Sequence, residues 1–263
     1  MNCKNCNTIL STESGYCYCC GGKVIRNRLT LKHLFQDFSE NYFNYDNKFY
    51  QTFINLFKKP EDVIGGYING TRKKYVNVVS YFALAITISG IYLLILNNFF
   101  PEMMDFSVMA APGQEEFQKK NLSFVQEYQS LFMMLYVPLY ALMARVSFIG
   151  IKKFNYTELL VIFMYLQAQI SIVSAIAGII LTLFGITQGV MSLIAIPLMI
   201  LYSAFCLKRL YNLNFQHIVL RTLLFLVVLG IVFIIISVVM AVIMFINGDL
   251  QSMIEAKKAA SGK

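Results

Sequence analysis

VNVVSYFALAITISGIYLLIL, residues 76–96, contains no charged side chain and follows directly on Arg72, Lys73 and Lys74. At about 1.5 Å per residue a helix of this length covers roughly 30 Å, the thickness of a bilayer's hydrocarbon core. Four further stretches read the same way: Tyr128–Ile151, Leu159–Phe184, Val190–Leu207 and Thr222–Ile246. In the second, Arg145 sits where it can snorkel to the interface and Pro138 predicts a kink; the fourth carries Pro197. Hydrophobic residues make up 57% of the chain and charged residues 14%, with a mean hydropathy of +0.60. These values exclude an ordinary soluble domain. The expected fold class is an all-α polytopic membrane protein of about five transmembrane helices, with a small zinc ribbon ahead of them.

Basic residues orient the spans, because cytoplasmic loops carry the excess of Lys and Arg. With the N-terminus inside, the inner loops hold Arg145, Lys152 and Lys153, then Lys208, Arg209 and Arg221. The outer segments hold Lys119 and Lys120, and then only the tail residues Lys257, Lys258 and Lys263. A bundle over residues 76–247 and a short external tail over 248–263 follow. No signal-peptide pattern precedes the first long apolar run, so the first span is expected to stay in the mature protein. The location expected is a bacterial inner membrane.

Working outward toward the N-terminus, residues 25–75 are too polar to span yet periodic enough to be amphipathic. Thr30 can N-cap a helix to about Tyr42, with Leu31, Leu34, Phe35, Phe38 and Tyr42 on one face. Asn44–Asn47 reads as a turn. Phe49, Phe53, Leu56 and Phe57 then mark a second apolar face, and Pro60 with Glu61 and Asp62 suits the start of another short helix. The segment is expected at the cytoplasmic membrane surface. Eleven lysines and arginines stand against six acids before the first span, a balance that favours anionic lipid headgroups. No nucleic-acid partner is expected, since the aromatic residues keep helical spacing.

Residues 1–24 hold two Cys-x-x-Cys pairs, Cys3/Cys6 and Cys17/Cys20. That spacing lets two tight turns offer four thiolates to one structural Zn2+. Asn7 and Gly21 follow the second cysteine of each pair, where the turn needs a positive φ that these residue types tolerate. Cys19 is left as a spare thiol.

No catalytic residue set emerges from the rest. Acidic residues lie outside the apolar cores, with Glu158 only at the entrance to the third span, where it also suits the helix N-terminus. That span is the most polar: Gln167 and Gln169, together with Glu158, are candidates for a polar pathway. Ser171/Ala175 and Ser174/Gly178 read instead as small-residue pairs for close helix packing. His33 and His217 share no spacing motif. Met103, Met104 and Met109 lack a His or Cys companion for a soft-metal site.

Several stretches together resemble one family. They are the four ribbon cysteines with Gly21, Phe49-Tyr50-Gln51-Thr52, Pro60, Tyr67-Ile68-Asn69-Gly70-Thr71-Arg72, Asn155-Tyr156-Thr157-Glu158-Leu159 and Leu207-Lys208-Arg209-Leu210-Tyr211. The chain is similar, from the ribbon to about residue 215, to the bacterial zinc-ribbon membrane proteins catalogued as domain of unknown function 3667. It departs from them at Asn7, where glycine is usual, at Cys19, and at Gly65/Gly66. A looser likeness, in the basic, aromatic and proline lead-in and the five spans, is to the Yip family of membrane-organising proteins. The first resemblance implies no activity. The function expected is a non-enzymatic membrane adaptor or scaffold that engages lipid headgroups or a protein at the cytoplasmic face; a homo-oligomer is compatible with it. The alternative is a transporter, channel or lipid-handling protein whose pathway runs beside the third span.

Overall fold

A computed structural model describes residues 2–22, 24, 48–106, 108, 124–151 and 153–246, with side chains through 238. The helix expected over Thr30–Tyr42, His33, the linker residues Lys23, Arg26 and Arg28, Met109, Lys119, Lys120, Lys152 and the tail over 248–263 lie outside the described residues. The chain divides into two compact units, residues 1–47 and 48–263.

In the first unit the backbone folds back on itself through an isolated antiparallel bridge between Asn2 and Ile9. Its small core consists of Cys3, Leu10 and Cys17, with Cys6 and Val24 packed against them. A cluster this small leaves little apolar burial to hold a fold together.

The second unit is helical. α1 (Lys48–Lys58) leads through Pro60 into a π-helical turn over Glu61–Gly65, then a short α2 (Gly66–Ile68). Gly70 closes this segment at φ 97°, and the Thr71 N–H reaches back to the Gly66 carbonyl at 2.8 Å. Pro60 thus starts a short helix, as its sequence suggests, but one that is π-helical over Glu61–Gly65. Among the described residues, five helices long and apolar enough to cross a membrane follow: α3 (Val78–Phe99), α4 (Gln129–Ser147), α5 (Tyr156–Leu183), α6 (Gln188–Tyr211) and α7 (Phe215–Ile246). The number of spans agrees with the sequence; their ends do not. α3 starts two residues late because the Asn77 side chain caps it, accepting from the Val79 N–H at 3.0 Å. α4 stops at Ser147. α5 starts early, at Tyr156, under a cap from Asn155. α6 runs on to Tyr211 and ends in left-handed Asn212, at φ 55°. α7 begins at Phe215, so His217 and Arg221 belong to a helix and not to a loop.

α5 is the most buried of the five helices, packing against α3, α4 and α6. Small side chains let neighbours in. A Cβ at Gly178 would lie 2.9 Å from Cε2 of Tyr92 and collide with that residue's hydroxyl, so the ring from α3 occupies space that only glycine leaves open. Gly178→Val is therefore expected to cost about 1–3 kcal/mol through overpacking, seen as a lowered unfolding midpoint in mild detergent. Tyr92→Ala in the same chain should recover part of the loss. An unchanged midpoint for Gly178→Val would contradict this packing.

The segment preceding α3 is docked on the bundle. Leu56, Val63 and Ile64 are fully buried. Phe49 packs on Tyr81, Phe53 on Phe57, and Phe57 on Tyr202 of α6. Hydrogen bonds complete the attachment. Pro60 has no N–H to give the Leu56 carbonyl four residues back, and the Tyr202 hydroxyl donates to that carbonyl at 3.3 Å. Thr52, also fully buried, accepts the Val76 N–H at 3.0 Å while its own hydroxyl donates to the Lys48 carbonyl at 2.5 Å.

Candidate metal centre and buried polar clusters

The two Cys-x-x-Cys turns are built alike. The Cys3 N–H donates to the Thr8 carbonyl at 2.9 Å, and the Cys17 N–H donates to the Gly22 carbonyl at 2.8 Å. Inside each turn the N–H of Asn7 or Gly21 closes on the carbonyl of Cys3 or Cys17, both at 2.9 Å. This closure needs a left-handed residue, and Asn7 and Gly21 supply it at φ 58° and 69°.

The four sulfurs of Cys3, Cys6, Cys17 and Cys20 converge within 4.8 Å of one another. The Cys3–Cys20 and Cys6–Cys17 separations are 3.7 and 3.5 Å. A tetrahedral ion with ligand distances of about 2.3 Å requires sulfur–sulfur edges of about 3.8 Å, so the four side chains fit such an ion. Cys3 and Cys17 are buried, and Cys19 is exposed outside the cluster. The Asn5 N–H points at the Cys3 sulfur from 3.5 Å. A hydrogen bond from the Thr8 hydroxyl, and a second from its backbone, bring the Cys6 thiol down to about 6. The Asn5 side chain and the Gly22 backbone lower Cys20. These two shifts favour the thiolate, the form that ligates a metal, whereas Cys17, despite the Cys20 backbone hydrogen bond, is pushed up to about 11 by burial and by its thiol neighbours.

In the bundle Gln169 is fully buried and both ends of its amide are bonded. Its Oε1 accepts from the Tyr81 hydroxyl of α3, and its Nε2 donates to the Phe53 carbonyl of α1 at 3.1 Å. Tyr165, one turn away on α5, donates to the Val76 carbonyl at 2.8 Å and stacks edge-on with Tyr67. Gln169 and Tyr165 therefore tie α5 to α1 and to both ends of the short connection before α3.

Glu158 and Gln167 go elsewhere. Glu158 completes a capping box: its carboxylate accepts the Asn155 N–H at 2.7 Å, and its own N–H donates to Asn155 Oδ1 at 2.8 Å. It is exposed. Gln167 faces a separate cavity of about 120 Å³ lined by Tyr140, Phe163 and Phe225 among others. The three side chains do not meet at a shared site.

Charged side chains near the helix ends hold the fold. Arg209 on α6 grips Glu61 with two nitrogens, Nε and Nη2, the first bond at 3.1 Å, and the hydrogen bond from Arg209 holds the Glu61 carboxyl below the usual range. Asp62 is lowered by Lys74, which donates at 2.7 Å, and by Tyr75 at 2.5 Å. Arg221 donates to the Ser147 and Ile149 carbonyls at 2.8 and 2.9 Å; these are groups that the end of α4 leaves open. Lys208 lies over the Phe215 ring at 5.8 Å. His217 is exposed on the first turn of α7, and Met103 and Met104 are half-buried.

Sequence reasoning missed Thr52 and Tyr202 as binding partners of main-chain groups, and Tyr81 as the partner of the Gln169 amide. One signal was available: Pro60 leaves the Leu56 carbonyl without its helical donor.

Comparison with known families matches part of the chain. The model of a protein of unknown function, DUF3667, covers residues 46–90. Those residues include α1, the π turn, α2 and the first half of α3, and the match agrees with the resemblance read from the sequence. No curated protein and no solved structure matches the chain, so the Yip likeness gains no support.

Proposed function

We propose that this multi-pass membrane protein is a non-enzymatic adaptor of the bacterial inner membrane. Its N-terminal head holds one structural Zn2+ on Cys3, Cys6, Cys17 and Cys20 and presents a surface to a protein partner in the cytoplasm. The carrying observation is a closed set of four converging thiols beside exposed Ile9, Tyr16 and Tyr18. Four sulfur ligands leave no open position for substrate or water, which distinguishes structural from catalytic sites. Bound there, the ion would supply the folding free energy that the small core lacks. Ile9 and Tyr18 are adjacent, the Tyr18 hydroxyl donating to the Ile9 carbonyl at 3.3 Å, and together they offer the aromatic and aliphatic anchors of a docking surface.

Further support comes from the bundle. Glu158 caps a helix, Arg209 pairs with Glu61, Arg221 caps α4, and Gln169 holds α1, so each serves the fold rather than a reacting ligand. The basic residues ahead of α3 fit anionic lipid on the inner leaflet.

A photo-reactive phenylalanine in place of Tyr18, activated in intact cells, tests the reading. One discrete cross-linked protein is expected, lost in a Cys17→Ser background. Cross-linking that is diffuse, or indifferent to Cys17, would sink the adaptor role. Orientation is checked by an impermeant thiol reagent, which should mark a cysteine introduced at Ser261 but not one at Gly22.

A further inference from the structure

A cleft of about 510 Å³ lies between α5 and α6. Its lining runs along α5 from Gln169 to Leu181 and along α6 from Gln188 to Tyr202. At 1.5 Å per residue the α5 wall is about 18 Å long, so the cleft is an elongated slot along which a hydrocarbon chain can lie. Small residues make the slot: Ser174, Ala177 and Gly178 on one wall, Ser192 and Ala195 on the other. It opens sideways along α6, where Ile194 and Leu198 are exposed.

The two ends differ chemically. At one end Phe57 and Tyr202 close the slot with their rings 5.4 Å apart. The Gln169 amide beside them is fully buried, its oxygen bonded to Tyr81 and one N–H to Phe53, so it presents no accessible polar surface to the slot. At the other end Gln188 Nε2 donates to the Tyr92 hydroxyl at 2.5 Å. Tyr92 accepts that bond and lies within reach of the buried Thr182 hydroxyl, so a ligand oxygen at this end would compete with Thr182 for the Tyr92 proton. An apolar slot with one polar end, open to the interior of a bilayer, matches a ligand with a hydrocarbon tail and an oxygen acceptor at its head. Water is a poor filler, having few polar partners along the walls, and an empty slot forfeits dispersion contacts.

We infer that this cleft binds a single acyl chain, with its terminal methyl at Phe57 and Tyr202 and its carbonyl or carboxyl oxygen at Tyr92. The inference stands independently of the adaptor reading. The chain can belong to a free fatty acid or to a phospholipid, which share this chemistry.

Native mass spectrometry of the full chain released from mild detergent tests it. One adduct per chain is expected, and its mass distinguishes fatty acid from phospholipid. Filling the slot with Ala177→Phe and Ala195→Phe should abolish the adduct while circular dichroism keeps its helical signal. Tyr92→Phe should weaken retention about fivefold, the effect of one hydrogen bond. If the filled variant fails to fold, a reporter replaces it. The chain contains no tryptophan, so Leu198→Trp at the cleft mouth and Val227→Trp on α7 each give a single fluorophore in vesicles of unbrominated phosphatidylcholine. Dibrominated stearate or dibrominated-acyl phosphatidylglycerol should quench the first with saturation near one equivalent, and the second only in proportion to its mole fraction in the bilayer. Equal, unsaturable quenching at both positions, or an adduct undiminished in the filled variant, would overturn the assignment.

Discussion

Cys17→Ser is expected to strip the metal from the N-terminal head and unfold it, while Cys19→Ser leaves metal content at one ion per chain. Both residues belong to the same run, Cys17-Tyr18-Cys19-Cys20, so composition alone predicts no difference. Geometry does. The Cys17 sulfur is 3.5 Å from that of Cys6 inside the buried cluster, whereas Cys19 points to solvent. Losing one of four thiolates removes much of a binding free energy of about 10–16 kcal/mol for structural zinc. The apolar core that remains is Leu10 and its few neighbours, far too little to offset that loss. Metal analysis of the purified full chain, with proteolysis near residue 24 as the readout of folding, separates the two variants. Retention of metal by Cys17→Ser, or its loss from Cys19→Ser, would mean that the four sulfurs identified by their convergence are not the ligand set.

The spans were legible because long charge-free runs have few other solutions in an aqueous cell. Their ends were less so. Asn77 and Asn155 as caps, and Asn212 in a left-handed conformation, are single-residue signals that hydropathy does not register. The knuckles were legible for a comparable reason: a Cys-x-x-Cys turn followed by Asn or Gly constrains its own backbone. The polar residues of the third span could not be placed from their types. Glu158 and Gln169 share a helical face, since eleven residues bring the wheel nearly full circle, yet they stand about 16 Å apart along the axis. Gln167 and Gln169 are neighbours in sequence but roughly 200° apart around the helix, and so they face different cavities. What Gln169 bonds is a main-chain carbonyl of α1, and no side-chain pattern announces a carbonyl. Pro60 came closest to doing so, by leaving the Leu56 carbonyl for Tyr202.

Gln169→Leu is expected to destabilise the bundle by about 2–4 kcal/mol, because it leaves the Tyr81 hydroxyl without its acceptor in a buried site and frees α1 from α5. Tyr81→Phe removes only one donor and should cost less, about 1 kcal/mol. The two changes together should cost less than their sum, since once Gln169 is gone the Tyr81 hydroxyl is a liability that phenylalanine removes; a coupling of about 0.5–2 kcal/mol is anticipated. Hydrogen bonds between membrane helices average about 0.6 kcal/mol, so a larger value would mark this amide as the fastening of the segment ahead of α3. Unfolding midpoints in mild detergent give the energies, and hydrogen exchange over residues 48–58 gives the mechanism. Exchange there should accelerate in Gln169→Leu while the amides of α4 and α7 are unaffected. Additive costs with unchanged exchange in α1 would show that the amide contributes packing alone, and that α1 is held instead by its aromatic face on Tyr81 and Tyr202.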